Sequence, residues 1–360
     1  MRLARWSLYS CRLPYEREVR WSDVVETEAQ FLLLKLQSDR GHAGAAEVTV
    51  KPTWNGATLR SLAASVEEMF APILQAVDLS DPAALRLRFD ASPENHAAKT
   101  LVDNALWDLH AAAHGAALWQ RWNGRSSVEV SWAVTRQAPA AMAQEAAAMV
   151  ERYGFGVLKV KGGQGLDTDR KGMREIRAAV PGVRLYVDAN GAYAASEARD
   201  YVAAMAEAGA ELVEDPCALA PDHAFAALQE SSPVPILVDF GCQSRRDAAL
   251  FVERGARAMS LKPGRFGLTD TRAMADIAAR CIPVVGLFGE SAFGTLAALQ
   301  LAATLPEGAL PAEVTWFLAM HSQIVLQPLS IRAGRIELPR TPGLAGLVDW
   351  QSPALIPLQR

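Results

Sequence analysis

LKVKGG, Leu158 to Gly163, places two lysines, Lys159 and Lys161, two positions apart in an apolar run. Successive side chains of a strand point to opposite faces, so these two ammonium groups share one face while Val160 takes the other. Two cations crowded on a buried face repel each other and lose water, and both effects pull a lysine pKa down. A lysine in that position can take a proton from carbon at neutral pH. The same six residues also fit a solvated edge strand with a surface lysine pair, and the flanking chain decides between the two.

Downstream of Gly124 the chain alternates short apolar strands with helices. The strands start at Val128 (VEVSWAV), Gly156 (GVLKVK), Val183 (VRLYVDAN), Glu211 (ELVED), Pro235 (PILVDF), Ala258 (AMSLKP), Ile282 (IPVVGLF) and Ala312 (AEVTWF). Helical stretches fill the gaps at Ala140–Tyr153, Asp169–Val180, Ser196–Ala208, Asp222–Glu230, Arg245–Arg254, Thr269–Arg280 and Ala292–Thr304. This even alternation predicts an α/β fold, a (β/α)8 barrel of the TIM type. A doubly wound open sheet is the alternative, disfavoured because no strand leads into a G-x-G-x-x-G turn.

Upstream, Leu3–Leu13, Ala29–Gln37 and a strand ending near Val48 form an antiparallel meander, with a polar tip holding Tyr15, Glu16 and Trp21. The loop KPTWNG, Lys51 to Gly56, carries Trp54, and helices follow at Thr58–Val77, Pro82–Arg88 and Pro93–His114. The expected division is an N-terminal α+β domain over 1–124, the barrel over 125–326, and a tail over 327–360. The tail contains the strand-like GRIELP and closes back over the N-terminal domain.

Active sites of such barrels lie at the C-terminal strand ends. Strand two ends in Lys159 and Lys161, then the following strands in Asp188, Glu214, Asp239 and Lys262, and strand seven runs into Glu290. The steps from Asp188 to Lys262 are 26, 25 and 23 residues, one βα unit each. Three carboxylates on neighbouring strands repel unless a cation sits among them. An oxygen-only set suits Mg²⁺, with Mn²⁺ as a substitute. Lysines flank that set on both sides. A small carboxylate substrate on the cation would hold its α-carbon between bases on opposite faces, with the cation stabilising the enediolate left by proton loss.

Bulk properties exclude other classes. A net charge of −4 with interspersed signs gives no basic footprint for nucleic acid. Cys11, Cys217, Cys242 and Cys281 have neither disulfide-framework nor zinc-type spacing, which suits a reduced, cytoplasmic setting. MRLARWSLYS lacks the apolar run of a signal peptide, and no stretch approaches about 18 apolar residues, so a membrane is not expected.

Taken together, LKVKGG, VDANGAY, VEDPC, VDF and SLKPGRFG resemble the enolase superfamily, in particular the muconate-lactonizing-enzyme subgroup of the mandelate racemase/muconate lactonizing enzyme family. The resemblance covers nearly the whole chain. It implies a modified barrel under an α+β capping domain and an essential Mg²⁺ on Asp188, Glu214 and Asp239. It further implies that Lys161 and Lys262 are the acid/base pair, and that Lys159 tunes Lys161 and contacts the carboxylate. A homo-oligomer, dimer or octamer, is implied too. The Lys-x-Lys form places the chain near the lactonizing, dipeptide-epimerising and succinylbenzoate-forming members.

Specificity by the same resemblance comes from the cap, around Tyr15–Trp21 and Trp54. Trp54 is either a substrate wall or a packed loop aromatic. Asn190 either faces the site or makes the turn, and Glu290 is either a substrate contact or a structural acceptor. Phe317 completes the candidate substrate contacts. Two departures stand out. Phe240-Gly241 follows Asp239 where many relatives carry Glu-Ser, and strand eight offers Thr315 and Phe317 where related dipeptide epimerases carry Asp-x-Asp. A free ammonium would stay unpaired in such a pocket, so an apolar or aromatic-tailed carboxylate fits better.

The expected activity is therefore racemisation, epimerisation or cycloisomerisation through an enediolate, like a muconate cycloisomerase or N-acylamino acid racemase. Its substrate class would be an N-acylated amino acid or an unsaturated diacid. β-Elimination, as in an o-succinylbenzoate synthase, is the alternative within this chemistry. A Schiff-base aldolase using Lys262 or Lys161 is the alternative outside it.

Overall fold

A computed structural model describes residues 1–21 and 24–358; the side chains of Arg20 and Trp21 lie outside the described residues, so the cap-tip role expected of Trp21 has no structural account. Strands β1 (Leu3–Trp21), β2 (Val24–Ser38) and β3 (Ala43–Thr49) form an antiparallel meander. The first two are longer than expected, because the tip is itself paired strand, Val19 opposite Glu26, beyond a register shift after Pro14. Buried Leu32, Leu34 and Leu36 alternate on the face of β2 that packs against the helix His96–His114.

The helical stretch at 59–76 contains a π-turn, Ser65–Phe70. Pro72 has no N–H for the ordinary bond to the carbonyl four residues back, so the turn before it widens, and Ala71 N donates to Val66 O.

VEVSWAV divides into β4 (Ser127–Glu129) and β5 (Trp132–Val134). Then come β6 (Val157–Lys161), β7 (Arg184–Asp188), β8 (Ala210–Glu214), β9 (Ile236–Val238), β10 (Ala258–Leu261) and β11 (Ile282–Val285). From β5 to β11 these pair in parallel and in chain order. AEVTWF, expected as strand eight, makes only an isolated bridge from Ala312 to Val130 before a 3-10 turn at Trp316–Ala319. That segment still closes the ring: Leu310 N and Glu313 N donate to carbonyls of Pro283 and Val285 on one side, and Ala312 N to Glu129 O on the other.

The tail divides as well. Its GRIELP piece, expected on the cap, instead supplies β12 (Arg335–Glu337), which pairs with β4 at the entry to the barrel. Among the described residues of the tail, β13 (Leu355–Pro357) is the strand that adds to the cap sheet, beside β1. Asp108 of the cap helix ties the tail down by accepting the N–H groups of Leu344 and Ala345 as well as Ala45. Among the described residues no helix is long and apolar enough to cross a membrane.

Candidate active site

The inside of the barrel is filled by one residue from each of β6 to β11, Val157, Tyr186, Leu212, Leu237, Ala258 and Val284, joined by Leu310. Side chains two positions further along a strand point the same way. Those positions are Lys159, Asp188, Glu214, Asp239 and Ser260, so strand parity alone delivers three acids and a lysine to the top of this layer. Lys161 and Lys262 stand one step higher.

The groups are interlocked. Lys159 Nζ lies 2.6 Å from Glu214 Oε2 and 3.0 Å from both Asp188 Oδ2 and Glu313 Oε2. Lys161 Nζ lies 2.6 Å from Asp188 Oδ2 and 3.3 Å from Asn190 Oδ1. Lys262 Nζ donates to Asp239 Oδ2, and Arg265 Nη1 lies 2.9 Å from Asp239 Oδ1. Lys159, Asp188 and Glu214 are at most 2% exposed.

A charge in that setting is tolerable only when paired. Burial works to depress Lys159, but Asp188, Glu214 and Glu313 outweigh it and hold its pKa well above the ordinary range. The lowering expected of the lysine pair is therefore overturned for Lys159, because three acids surround it. Against burial, Lys159 and Lys161 hold Asp188 far below the usual carboxylate range, and Lys262 and Arg265 bring Asp239 to about 2. Glu214 goes the other way, raised by burial and by Asp188.

A cavity of about 250 Å³ opens above this ring. Lys159, Lys161, Asn190, Asp239, Lys262 and Arg265 make its polar side; Val24, Trp54, Phe240, Leu287 and Phe288, with Thr53, make the rest. Of the sequence candidates, Asn190 and Trp54 thus reach the cavity. Trp54 packs against Phe288 with ring centroids 5.5 Å apart. Asn190, at φ 52°, also makes the turn, its N–H donating to Asp188 Oδ1.

Glu290 does not line the cavity; it is buried and accepts the N–H of Phe288. Phe317 does not line it either. Residue 317 sits in the 3-10 turn, where strand alternation has ended, and faces a separate depression with Tyr153, Met320 and Leu329. Tyr15, from the cap tip, is buried edge-on against Trp316 rather than in the cavity.

Sequence reasoning passed over three groups. Glu313 accepts from both Lys159 and Tyr186. Asp215 accepts the N–H groups of Asp239 and Phe240 and so fixes the third acid's turn; burial and Asp239 raise its pKa to about 7. Arg265 pairs with Asp239. For Glu313 and Asp215 the signal was an acid inside or ending an apolar run, the same signal that singled out Glu214.

These features define a barrel enzyme with acid–lysine chemistry at the strand ends, and relatives with the same architecture are known. The chain matches the family described as "Enolase C-terminal domain-like" over residues 141–352 and "Mandelate racemase / muconate lactonizing enzyme, N-terminal domain" over residues 14–121. It belongs to the mandelate racemase/muconate lactonizing enzyme family of the enolase superfamily. It is 31% identical to an o-succinylbenzoate synthase of Geobacillus kaustophilus over 84% of this chain and 79% of that one. It is 30% identical to muconate cycloisomerase 1-2 of Acinetobacter lwoffii, over 81% and 78%. In fold it matches a dipeptide epimerase from Cytophaga hutchinsonii with a TM-score of 0.90, at 22% identity over 99% of each chain.

Proposed function

We propose that this chain binds a small carboxylic acid in the 250 Å³ cavity together with Mg²⁺, and moves the proton on the carbon next to the carboxylate, giving racemisation, epimerisation or cycloisomerisation. One observation carries this: Lys161 and Lys262, from strands four places apart in the sheet, both open into that cavity. One amine can take a proton from one face of a carbon while the other returns a proton to the opposite face.

Asp188, Glu214 and Asp239 would hold the cation. The donor set is all oxygen, which suits a hard ion, and Glu214 Oε1 is buried with no hydrogen-bond partner. Among the described residues no three acids, histidines or cysteines already form a ready-made metal cluster. The lysine ammonium groups hold those oxygens instead, and an entering cation would compete for them. Bound there, the cation would draw off the negative charge that proton loss leaves on the carboxylate.

The remaining work falls to the chain itself. Arg265 and Lys262 share Asp239, and Lys159 is fixed among three acids. Trp54, Phe240, Leu287 and Phe288 make an apolar wall that sheds water around the reacting carbon. Asp239 is the one acid among the described lining residues, so nothing else there would pair a substrate ammonium. An N-acylated amino acid or an unsaturated diacid with an apolar tail fits this lining.

The test is a proton-NMR screen of such acids in D₂O with Mg²⁺. Deuterium should enter the α-position of recovered substrate with the parent chain and not with Lys262→Ala. If no acid exchanges under any metal condition, the proposal fails. The 31% identity to an o-succinylbenzoate synthase favours a second outcome of the same chemistry, elimination of water, which mass spectrometry would register as a product 18 Da lighter.

A further inference from the structure

Behind the aromatic wall lies a buried lysine that proton transfer does not use. Lys51 follows β3, is 4% exposed, and precedes Pro52, which forces it into an extended conformation. Its carbonyl accepts the N–H groups of Trp54 and Asn55, so its backbone starts the short turn that presents Trp54. Its side chain then folds under the same turn: Nζ lies 3.8 Å from the Trp54 ring centroid and 2.8 Å from Glu26 Oε2 on β2. The edge of the wall is tied down from the same strand end. Thr49 Oγ1 donates to Phe288 O, and Asn55 Nδ2 donates to Thr49 O.

We propose that Lys51 is a positioning residue for substrate specificity, its ammonium group holding the Trp54 indole at the angle that shapes the cavity for an apolar tail. The inference rests on the cavity being the substrate site. A lysine is almost never this buried without being paired, and an aliphatic side chain would fill the space with no desolvation penalty. A cation does what an aliphatic group cannot, fixing a ring through its face while a carboxylate fixes the cation. Burial pulls Lys51 down to about 8 despite Glu26, in keeping with an ammonium group packed against the Trp54 ring and away from water. Lys51 is absent from the described lining of the cavity, whereas Trp54, which its ammonium group faces, is part of it.

The experiment compares the full-length parent with Lys51→Met, Lys51→Arg, Glu26→Gln and Trp54→Phe. Subtracting the Trp54→Phe spectrum isolates the Trp54 fluorescence, whose quenching by acrylamide needs no substrate. That quenching should rise about twofold or more in Lys51→Met, rise less in Glu26→Gln, and return to the parent value in Lys51→Arg. In calorimetry, N-acetylphenylalanine should lose about tenfold in affinity in Lys51→Met while N-acetylalanine changes by less than about twofold. Unchanged quenching in both Lys51→Met and Glu26→Gln, or equal losses for the two acids, would overturn the assignment. A parent chain that exchanges no acid counts against the proposed function alone, because the quenching still decides the role of Lys51.

Discussion

Lys262 can be displaced without touching its own side chain. Gly286 follows β11, and its N–H donates to Leu261 O at 2.9 Å, so its backbone lies flat against the strand that delivers Lys262. A Cβ on Gly286 would press on Ser260 Oγ and stand 2.7 Å from Lys262 Cε. Carbon atoms settle at about 3.5–4.0 Å, so the lysine must give way by about 1 Å. Overpacking of this kind costs about 1–3 kcal/mol. At about 2.1 cal/mol/K per residue over 360 residues, that lowers Tm by about 1–4 °C. A shift of about 1 Å in a reacting group costs on the order of 10²-fold in rate.

Gly286→Ala should therefore stay folded and lose about 100-fold in kcat for α-proton exchange, with KM little changed. Gly308→Ala, with no atom within 4 Å of its new methyl group, should match the parent in both respects. Exchange followed by proton NMR gives the rate, and a thermal melt gives Tm. A Gly286→Ala enzyme within about threefold of the parent kcat would refute the claim that the position of Lys262 governs the reaction.

Glu313→Gln keeps the shape of the side chain but removes one of the three acids around Lys159 and should cost about 3 kcal/mol in urea unfolding; a loss below about 1 kcal/mol would show that Asp188 and Glu214 suffice. Mg²⁺ at about a hundredfold excess over its Kd should stabilise the parent by about 2.7 kcal/mol in a thermal-shift assay, reversibly with EDTA, and Asp239→Asn should abolish most of that gain. Burial raises Asp108 to about 7, so the folded chain binds its proton more tightly than the unfolded chain does. The stability this gives is full below the ordinary carboxylate pKa and is lost as pH climbs towards about 7. Asp108→Asn lacks that slope, so the parent's advantage in urea midpoint should shrink between pH 4 and pH 7, and a constant gap would contradict the assignment.

Most of the site was legible because strand alternation and unit spacing are both written in the chain. The acids at 188, 214 and 239 each stand two places beyond a core residue of the barrel, and each is one βα unit from the next. Legibility ended where the backbone stopped being a strand. Thr315, at φ −95° and ψ 13°, already leaves strand geometry, so the strand-eight position that the resemblance gave Phe317 does not carry its side chain to the cavity. Lys51 was hidden for a different reason. A lysine before a proline in a polar loop reads as exposed, and its burial depends on Glu26, which only the folding back of β2 onto β3 brings near. The electrostatic expectation for Lys159 failed because the like charge at Lys161, on the same strand, counts for less than the acids that Asp188 and Glu214 bring from the next two strands and Glu313 from beyond β11.

The Phe240-Gly241 departure from Glu-Ser is built into the packing. A Cβ at Gly241 would meet Leu219 O at 2.5 Å, and a backbone oxygen cannot rotate aside. A serine there requires the loop after β8 to move. That loop begins with Asp215, whose carboxylate receives the N–H groups of Asp239 and Phe240, so the movement would disturb the third acid itself. Residue 240 is no freer to change alone. The Arg265 guanidinium lies 5.5 Å from the Phe240 ring while bonded to Asp239. A glutamate at 240 would compete for that guanidinium, whereas phenylalanine leaves it to Asp239 and turns an aromatic face to the cavity mouth. The change at 240–241 thus couples two effects: the Arg265 guanidinium stays on the acid beside Lys262, and an aromatic ring stands in the cavity lining at residue 240.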